Sequence, residues 1–207
     1  MFNIARKKIL NFEEKIAFLN GDLRKERLGL SDQDYECLIK ETTIIFHNGS
    51  KSGNNREKRT ISETLDTNVH GTRRILNLAS DCKTLKSFVY VSTICSQYPQ
   101  SNRLEEKFYP SPGDLKYIND MIQADTENDT DLNNESFKML VGQWSTLLGF
   151  SKAISEDLVK KHAMLSKYSC CIFRPSISKL FSNILQFSIL SKYSIKILHF
   201  SSNINVS

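Results

Sequence analysis

Short apolar runs alternate with longer stretches of helical periodicity along this chain. Ile16 to Leu19 form an apolar run closed by Asn20, Gly21 and Asp22, which predicts a buried strand followed by a turn. Ser31 then supplies an N-cap hydroxyl, and Asp32 to Lys40 place Tyr35, Leu38 and Ile39 on one helical face. Thr43 to Phe46 are β-branched and aromatic, a second strand that runs out into the polar turn His47-Asn48-Gly49-Ser50. After a polar loop over 50–59, Ile61, Leu65, Val69, Ile75, Leu76, Leu78 and Ala79 recur with helical spacing. Ser87 to Val91 read as a third strand. A loop bearing Pro99, Pro110 and Pro112 leads into a helix from Asp114 to Ala124 and an exposed acidic segment over 125–135. A helix from Ser151 to Leu165 and a fourth strand over 168–173 follow, ending at Arg174-Pro175.

Strands that are apolar almost throughout, alternating with helices, predict a parallel sheet buried on both faces, an α/β fold of the Rossmann-type doubly wound kind. Residues 1–178 form this one domain. Ligands of such sheets bind beyond the carboxyl ends of the strands, where His47 to Ser50 and Ser92 to Cys95 stand. Residues 179–207 break the pattern. They are almost wholly Ser, Ile, Leu, Lys, Asn and Phe, without Gly, Pro or an acid, a bias that fits the misread end of a gene better than a packed helix and strand.

Composition narrows the function. With 207 residues, 40% hydrophobic and 25% charged, the chain suits one globular domain. The net charge of +5 comes from 28 Lys and Arg scattered among 23 acids, so it calls for no nucleic-acid partner and suits a phosphorylated ligand such as a dinucleotide or coenzyme A equally well. Cys37, Cys82, Cys95, Cys170 and Cys171 are odd in number and contain no CxxC pair, which argues against a disulfide framework and a zinc site and for a reducing, intracellular compartment. The opening MFNIARKKIL has no apolar core of a secretory signal, and no run approaches the ~18 apolar residues of a spanning helix, so the chain reads as soluble or peripheral. The eight glycines are isolated. A Gly-x-Gly-x-x-Gly turn, whose amides and helix N-terminus would cradle a pyrophosphate, is not in the sequence, so the opening βα unit and the second strand of a dinucleotide fold are expected to be missing.

The remaining landmarks resemble, in order, those of the alcohol-forming fatty acyl-CoA reductases of the extended short-chain dehydrogenase/reductase superfamily, most closely the insect type. They are Gly21-Asp22-Leu23 with Leu28-Gly29-Leu30-Ser31, then Ile45-Phe46-His47-Asn48-Gly49-Ser50, Asn68-Val69-His70-Gly71-Thr72 and Phe88-Val89-Tyr90-Val91-Ser92-Thr93. Gly142-Gln143-Trp144, Phe150-Ser151-Lys152-Ala153-Ile154-Ser155-Glu156 and Ile172-Phe173-Arg174-Pro175-Ser176 continue the series.

The resemblance implies an NADPH-dependent reduction of long-chain fatty acyl-CoA to fatty alcohol, with no metal, by a protein found at the endoplasmic reticulum or peroxisomal membrane surface. It implies that Asp22 and Leu23 lie on the adenine side. His47, Asn48, Gly49 and Ser50 would line the cofactor, although the family prefers alanines where Asn48 and Gly49 stand. His47 itself reads as structural, and Asn68 and Thr72 as scaffold. Ser92 and Thr93 would offer the hydroxyl for the substrate carbonyl, and Arg174 and Pro175 would border the nicotinamide. In a Tyr-x-x-x-Lys pair the ammonium lowers the phenol's pKa from about 10 and binds the ribose, and the two residues share a helix face. Lys152 fits the lysine. Four residues earlier stands Leu148, which has no proton to donate. A weak or inactive reductase is therefore expected. A non-catalytic scaffold derived from it is an alternative, as is a sugar-nucleotide epimerase or hydroxysteroid dehydrogenase, which the Leu28 to Ser31 segment and Trp144 disfavour.

Overall fold

The structure is a computed structural model that describes residues 11, 13–51, 61–100, 104–128, 141–144, 146–175 and 195–200, of which 98–100, 127–128 and 195–200 are described by backbone alone. Strand β1 (Ile16–Gly21) ends in a turn whose Asp22 amide donates to the Leu28 carbonyl at 2.7 Å. Leu28 sits there with φ of 61° and no exposed surface, so burial holds a leucine in backbone space that usually disfavours it. Helix α1 (Asp32–Glu41) begins where expected: the Ser31 hydroxyl accepts from the Asp34 amide at 3.1 Å, Asp32 and Asp34 occupy the first turn and Lys40 the last.

Strand β2 (Ile44–His47) is followed by a helical rod in three parts, α2 (Ile61–Leu65), a π-helical turn (Asp66–His70) and α3 (Gly71–Asp81). Gly71 is required in that rod, because a Cβ there would lie 2.9 Å from the Leu23 Cβ. Strand β3 (Ser87–Val91), a 3₁₀ turn (Ile94–Gln100), α4 (Leu115–Asn128), α5 (Leu147–Ala163) and β4 (Ser169–Phe173) complete the main unit. Within the tail, Ile195–Phe200 form β5.

The parallel α/β class holds, with two differences from expectation. Among the described residues the strands form two hydrogen-bonded sheets, a three-stranded β2-β3-β4 and a two-stranded β1-β5, both parallel, instead of one. Burial on both faces is also not what the described residues show. Ile45, Phe88, Tyr90 and Ile172 pack against α1, α3 and α5 in one core, whereas Ile44 and Phe46 on the opposite face are each 39% exposed and Phe18 of β1 is 61% exposed. A continuous apolar strand is thus half used here. A second core joins Ile61, Leu65 and Val69 to Ile118, Met121, Phe150 and Ile154 and fixes α5 against the rod. No helix among the described residues is long and apolar enough to cross a membrane.

Candidate active site at the strand ends

Register brings the site together. Because β3 and β4 pair through Val91 and Phe173, the chain just beyond them stays adjacent: the Ser92 amide donates to the Phe173 carbonyl at 2.8 Å and Ile94 to Pro175 at 3.2 Å. Ser92-Thr93 therefore lie beside Arg174-Pro175. Helix α5 passes these ends, started by Thr146, whose hydroxyl accepts from the Gly149 amide. Gly149 lets the helix approach closely, since a Cβ there would stand 3.0 Å from the Cys95 carbonyl oxygen. Trp144 adds a bond from its indole N–H to the Ser96 carbonyl at 2.9 Å. Four-residue spacing then stacks Lys152 and Glu156 toward the strand ends, and Ser151 and Ser155 toward the π-turn.

Glu156 is 3% exposed and saturated with donors. Ser92 Oγ donates to it at 2.5 Å, Ser96 Oγ at 2.8 Å and Gln97 Nε2 at 2.7 Å. The Arg174 guanidinium spans both carboxylate oxygens, with Nε at 3.0 and 3.1 Å and an amino nitrogen at 2.7 Å. Lys152, 5% exposed, donates to the Val91 carbonyl at 2.7 Å and lies 5.2 Å from the centre of the Tyr90 ring. Burial pulls its pKa down to about 8, against the Glu156 charge, which raises it. Two of its ammonium protons have no acceptor among the described residues.

His47, at the end of β2, is buried as a neutral imidazole. Burial first, and the Lys152 charge second, push its pKa down to about 3. Its Nε2 lies 3.0 Å from Thr72 Oγ1, which donates its only proton to the Asn68 carbonyl at 2.6 Å, so Nε2 must carry the hydrogen. Asn68 accepts from the Lys51 amide at 2.7 Å and donates to the Lys51 carbonyl at 3.1 Å and to Ser151 Oγ at 2.9 Å. Its own carbonyl also receives Ser155 Oγ at 3.0 Å. The π-turn presents this carbonyl and amide together.

The structure thus gathers Ser92, Thr93, Lys152, Arg174 and Pro175, with His47 next to them. Asn48 and Ser50 are exposed and Gly49 half-buried in the turn that Asn68 holds. Asp22 and Leu23 are not joined to the cluster by any hydrogen bond among the described residues. Asp22 binds Arg24, whose hydrogen bonds outweigh burial and lower the carboxyl's pKa, while Leu23 is a 3%-exposed core residue whose carbonyl accepts from Arg74 at 3.0 Å. Leu148 is half-buried one turn before Lys152. Ser92 and Thr93 part company: Ser92 has spent its proton on Glu156, whereas Thr93 accepts from the Cys95 amide at 3.3 Å and its own proton has no acceptor among the described residues. Glu156, Ser96 and Gln97 carried no role in the sequence reading. The available signal was a Lys and a Glu four apart inside an otherwise small and apolar helix segment.

A family model described as male sterility protein matches residues 2–183. The chain belongs to the male sterility protein family. It is 32% identical over 177 residues to fatty acyl-CoA reductase 1 of Homo sapiens, in an alignment that takes in 86% of this chain and 33% of that protein. Fatty acyl-CoA reductase 2 of Homo sapiens is 28% identical over the same shares. This male sterility domain therefore spans about a third of the length of the curated relatives it matches. Among solved structures, the terminal R domain from the myxalamid PKS-NRPS biosynthetic pathway superposes with a TM-score of 0.51 at 23% identity, over 75% of this chain and 32% of that one, and shares its fold. The family is one of NAD-binding domains, so the cofactor class is a nicotinamide dinucleotide. The residues present fit such a group at the strand carboxyl ends: Lys152 has two ammonium protons without an acceptor among the described residues, suited to ribose hydroxyls, and the Thr93 hydroxyl proton stands beside it, likewise without an acceptor among them.

Proposed function

We propose that this male sterility domain carries part of a reductase site that uses NADPH to convert long-chain fatty acyl-CoA, through an aldehyde, to fatty alcohol, and that this chain by itself turns over weakly. The convergence of Thr93, Lys152 and Arg174-Pro175 at adjoining strand ends carries the reading, and the names of the relatives support the substrate. Thr93 donates its hydroxyl hydrogen bond to the reacting carbonyl oxygen. Lys152 binds the ribose hydroxyls with the two protons it does not give to Val91. Arg174-Pro175 and the turn His47 to Ser50 border the nicotinamide side, with Asp22 and Leu23 on the adenine side. The nucleotide supplies hydride when bound. At Leu148 no side-chain proton meets the developing alkoxide, and a missing positioned acid costs a factor of roughly 100 to 10,000. An intracellular, reducing location at a membrane surface belongs to the same reading.

Acyl-CoA-dependent NADPH oxidation by the purified chain, with the alcohol identified as product, tests it. A slow rate abolished by Thr93→Val supports the reading. Turnover at the level of an ordinary reductase, or oxidation that ignores Thr93→Val, contradicts it. Leu148 in the donor's place also favours a second reading, a non-catalytic binding partner of a complete reductase, which co-purification with such a reductase would detect.

A further inference from the structure

Glu156 is the most densely bonded side chain of the site, yet none of the roles above uses it. Its partners come from three elements: Ser92 from the end of β3, Ser96 and Gln97 from the 3₁₀ turn, and Arg174 from the end of β4. A buried ion pair whose only business was stability would be poor design, because desolvation offsets most of the attraction. This one also leaves a loose end. Gln97 donates its amide N–H to Glu156, but its Oε1 is buried with no partner among the described residues. Buried polar atoms of native interiors are nearly always paired, so this one marks a place where a further donor fits.

We propose that Glu156 is a positioning residue of this site, selecting Thr93 over Ser92 as the hydroxyl offered to a carbonyl and holding the positive charge of Lys152. What those positioned groups then do rests on the reductase reading above. Selection follows from proton counting. Ser92 has one hydroxyl proton, and at 2.5 Å Glu156 takes it, so Ser92 cannot donate to a substrate without breaking a charge-assisted bond. The Thr93 hydroxyl, one residue on, has no hydrogen bond to Glu156 among the described residues.

The hold on Lys152 follows from what faces its ammonium. The groups around it are the Val91 carbonyl and Tyr90 ring on β3, neutral His47 at the end of β2, and Glu156 one turn along α5, with Arg174, just beyond β4, bound to both oxygens of that carboxylate. Glu156 is the one negative charge in this set. Burial draws the ammonium toward neutrality and Glu156 opposes it. Without Glu156, Lys152 would lose its charge nearer neutral pH and its grip on ribose hydroxyls with it.

The test uses the full chain with Glu156→Gln, read by hydrogen exchange and by the Cε resonance of Lys152 in lysine-labelled protein, identified by its loss in Lys152→Arg and titrated through the alkaline range. Exchange over 92–97 and at Arg174 should rise roughly tenfold while α1 and α3 keep their protection, and the Lys152 midpoint should fall by about one unit. Ser92→Ala should raise exchange over 92–97 and leave the midpoint in place. If Glu156→Gln does not fold, Glu156→Met with Arg174→Met removes both members of the buried pair, a change that usually preserves folding, and carries the same readouts. A Lys152 midpoint that does not move in a folded variant, or protection lost evenly across α1 and α3, overturns the proposal. Failure of the wild-type chain to oxidise NADPH would count against the reductase reading and leave both readouts standing.

Discussion

Asn68→Ala is the substitution whose cost can be worked out most directly. The side chain is 1% exposed and closes three hydrogen bonds, with the Lys51 amide at 2.7 Å, the Lys51 carbonyl at 3.1 Å and Ser151 Oγ at 2.9 Å. Truncation leaves those groups half-buried or buried without their partner and opens a small cavity between the rod and α5. At about 1 kcal/mol per bond plus a modest cavity contribution, the loss is ~3–4 kcal/mol. For a chain of this size that lowers the thermal midpoint by roughly 10 °C. Urea titration followed by circular dichroism, with calorimetry alongside, measures both. Asn68→Asp is the isosteric control: it keeps an acceptor for the Lys51 amide but turns the bond to the Lys51 carbonyl into an acceptor-acceptor contact and draws the Ser151 hydroxyl proton away from the Leu148 carbonyl, and should cost a similar amount. Ser151→Ala alone should cost ~1 kcal/mol, and its double mutant with Asn68→Ala should lose less than the sum. An Asn68→Ala loss below about 1 kcal/mol, or strict additivity with Ser151→Ala, would refute the argument that this amide ties the β2 turn to α5.

Four other outcomes follow from the same contacts. Leu148→Tyr should raise acyl-CoA-dependent NADPH oxidation at least roughly 100-fold, since it returns a positioned acid one turn from Lys152, and Leu148→Phe should not. Gly71→Ala should destabilise by ~1–3 kcal/mol in denaturant titrations, because its methyl would press on Leu23. Because the folded-state pKa of His47 is depressed from 6.5 to about 3, the unfolded chain binds the proton more tightly between those values. Stability is then lost as pH falls through that window, by at most ~1.4 kcal/mol per unit, and His47→Gln should flatten the slope. Lys152 is depressed from 10.5 to about 8, so its charge lowers stability below about pH 8 and the deficit fades as pH rises toward 10.5. Lys152→Met should therefore stabilise the fold at neutral pH by ~1–3 kcal/mol, read by calorimetry, while weakening nucleotide binding.

Local pattern was enough to place most elements of the main unit, although α5 begins at Leu147, four residues before the expected Ser151. Ser31, with Tyr35 and Leu38 behind it, announced α1, and the aromatic and β-branched runs announced β2 and β3, because these residues carry their reasons in their immediate neighbours. Periodicity could not show that Ile44 and Phe46 remain partly exposed, since a run such as Thr43 to Phe46 looks the same whether one face or both are covered. It also could not tell the π-turn from ordinary helix. Apolar spacing through Ile61, Leu65 and Val69 is compatible with either, because what distinguishes them is a backbone bond one residue longer, which leaves no mark on the side-chain pattern. At the site, Lys152 and the strand-end hydroxyls were legible by resemblance. The difference between Ser92 and Thr93 was not, because it depends on Glu156, 64 positions away from Ser92.

The π-turn has a consequence for how this protein tolerates change in its gene. A π-turn holds about one residue more than an α-turn, so losing a single codon between Asp66 and His70 would restore an unbroken α-helix. The gain in regularity would come at the expense of the site. Because the wide turn absorbs the extra residue locally, the flanking parts of the rod would stay nearly in register, with Ile61 and Leu65 on their core and Thr72 beside His47. What would go is the turn's own spacing, and with it the placing of Asn68 against Lys51 and Ser151, so the rod could drop a residue here and keep its packing while losing its hold on the β2 turn.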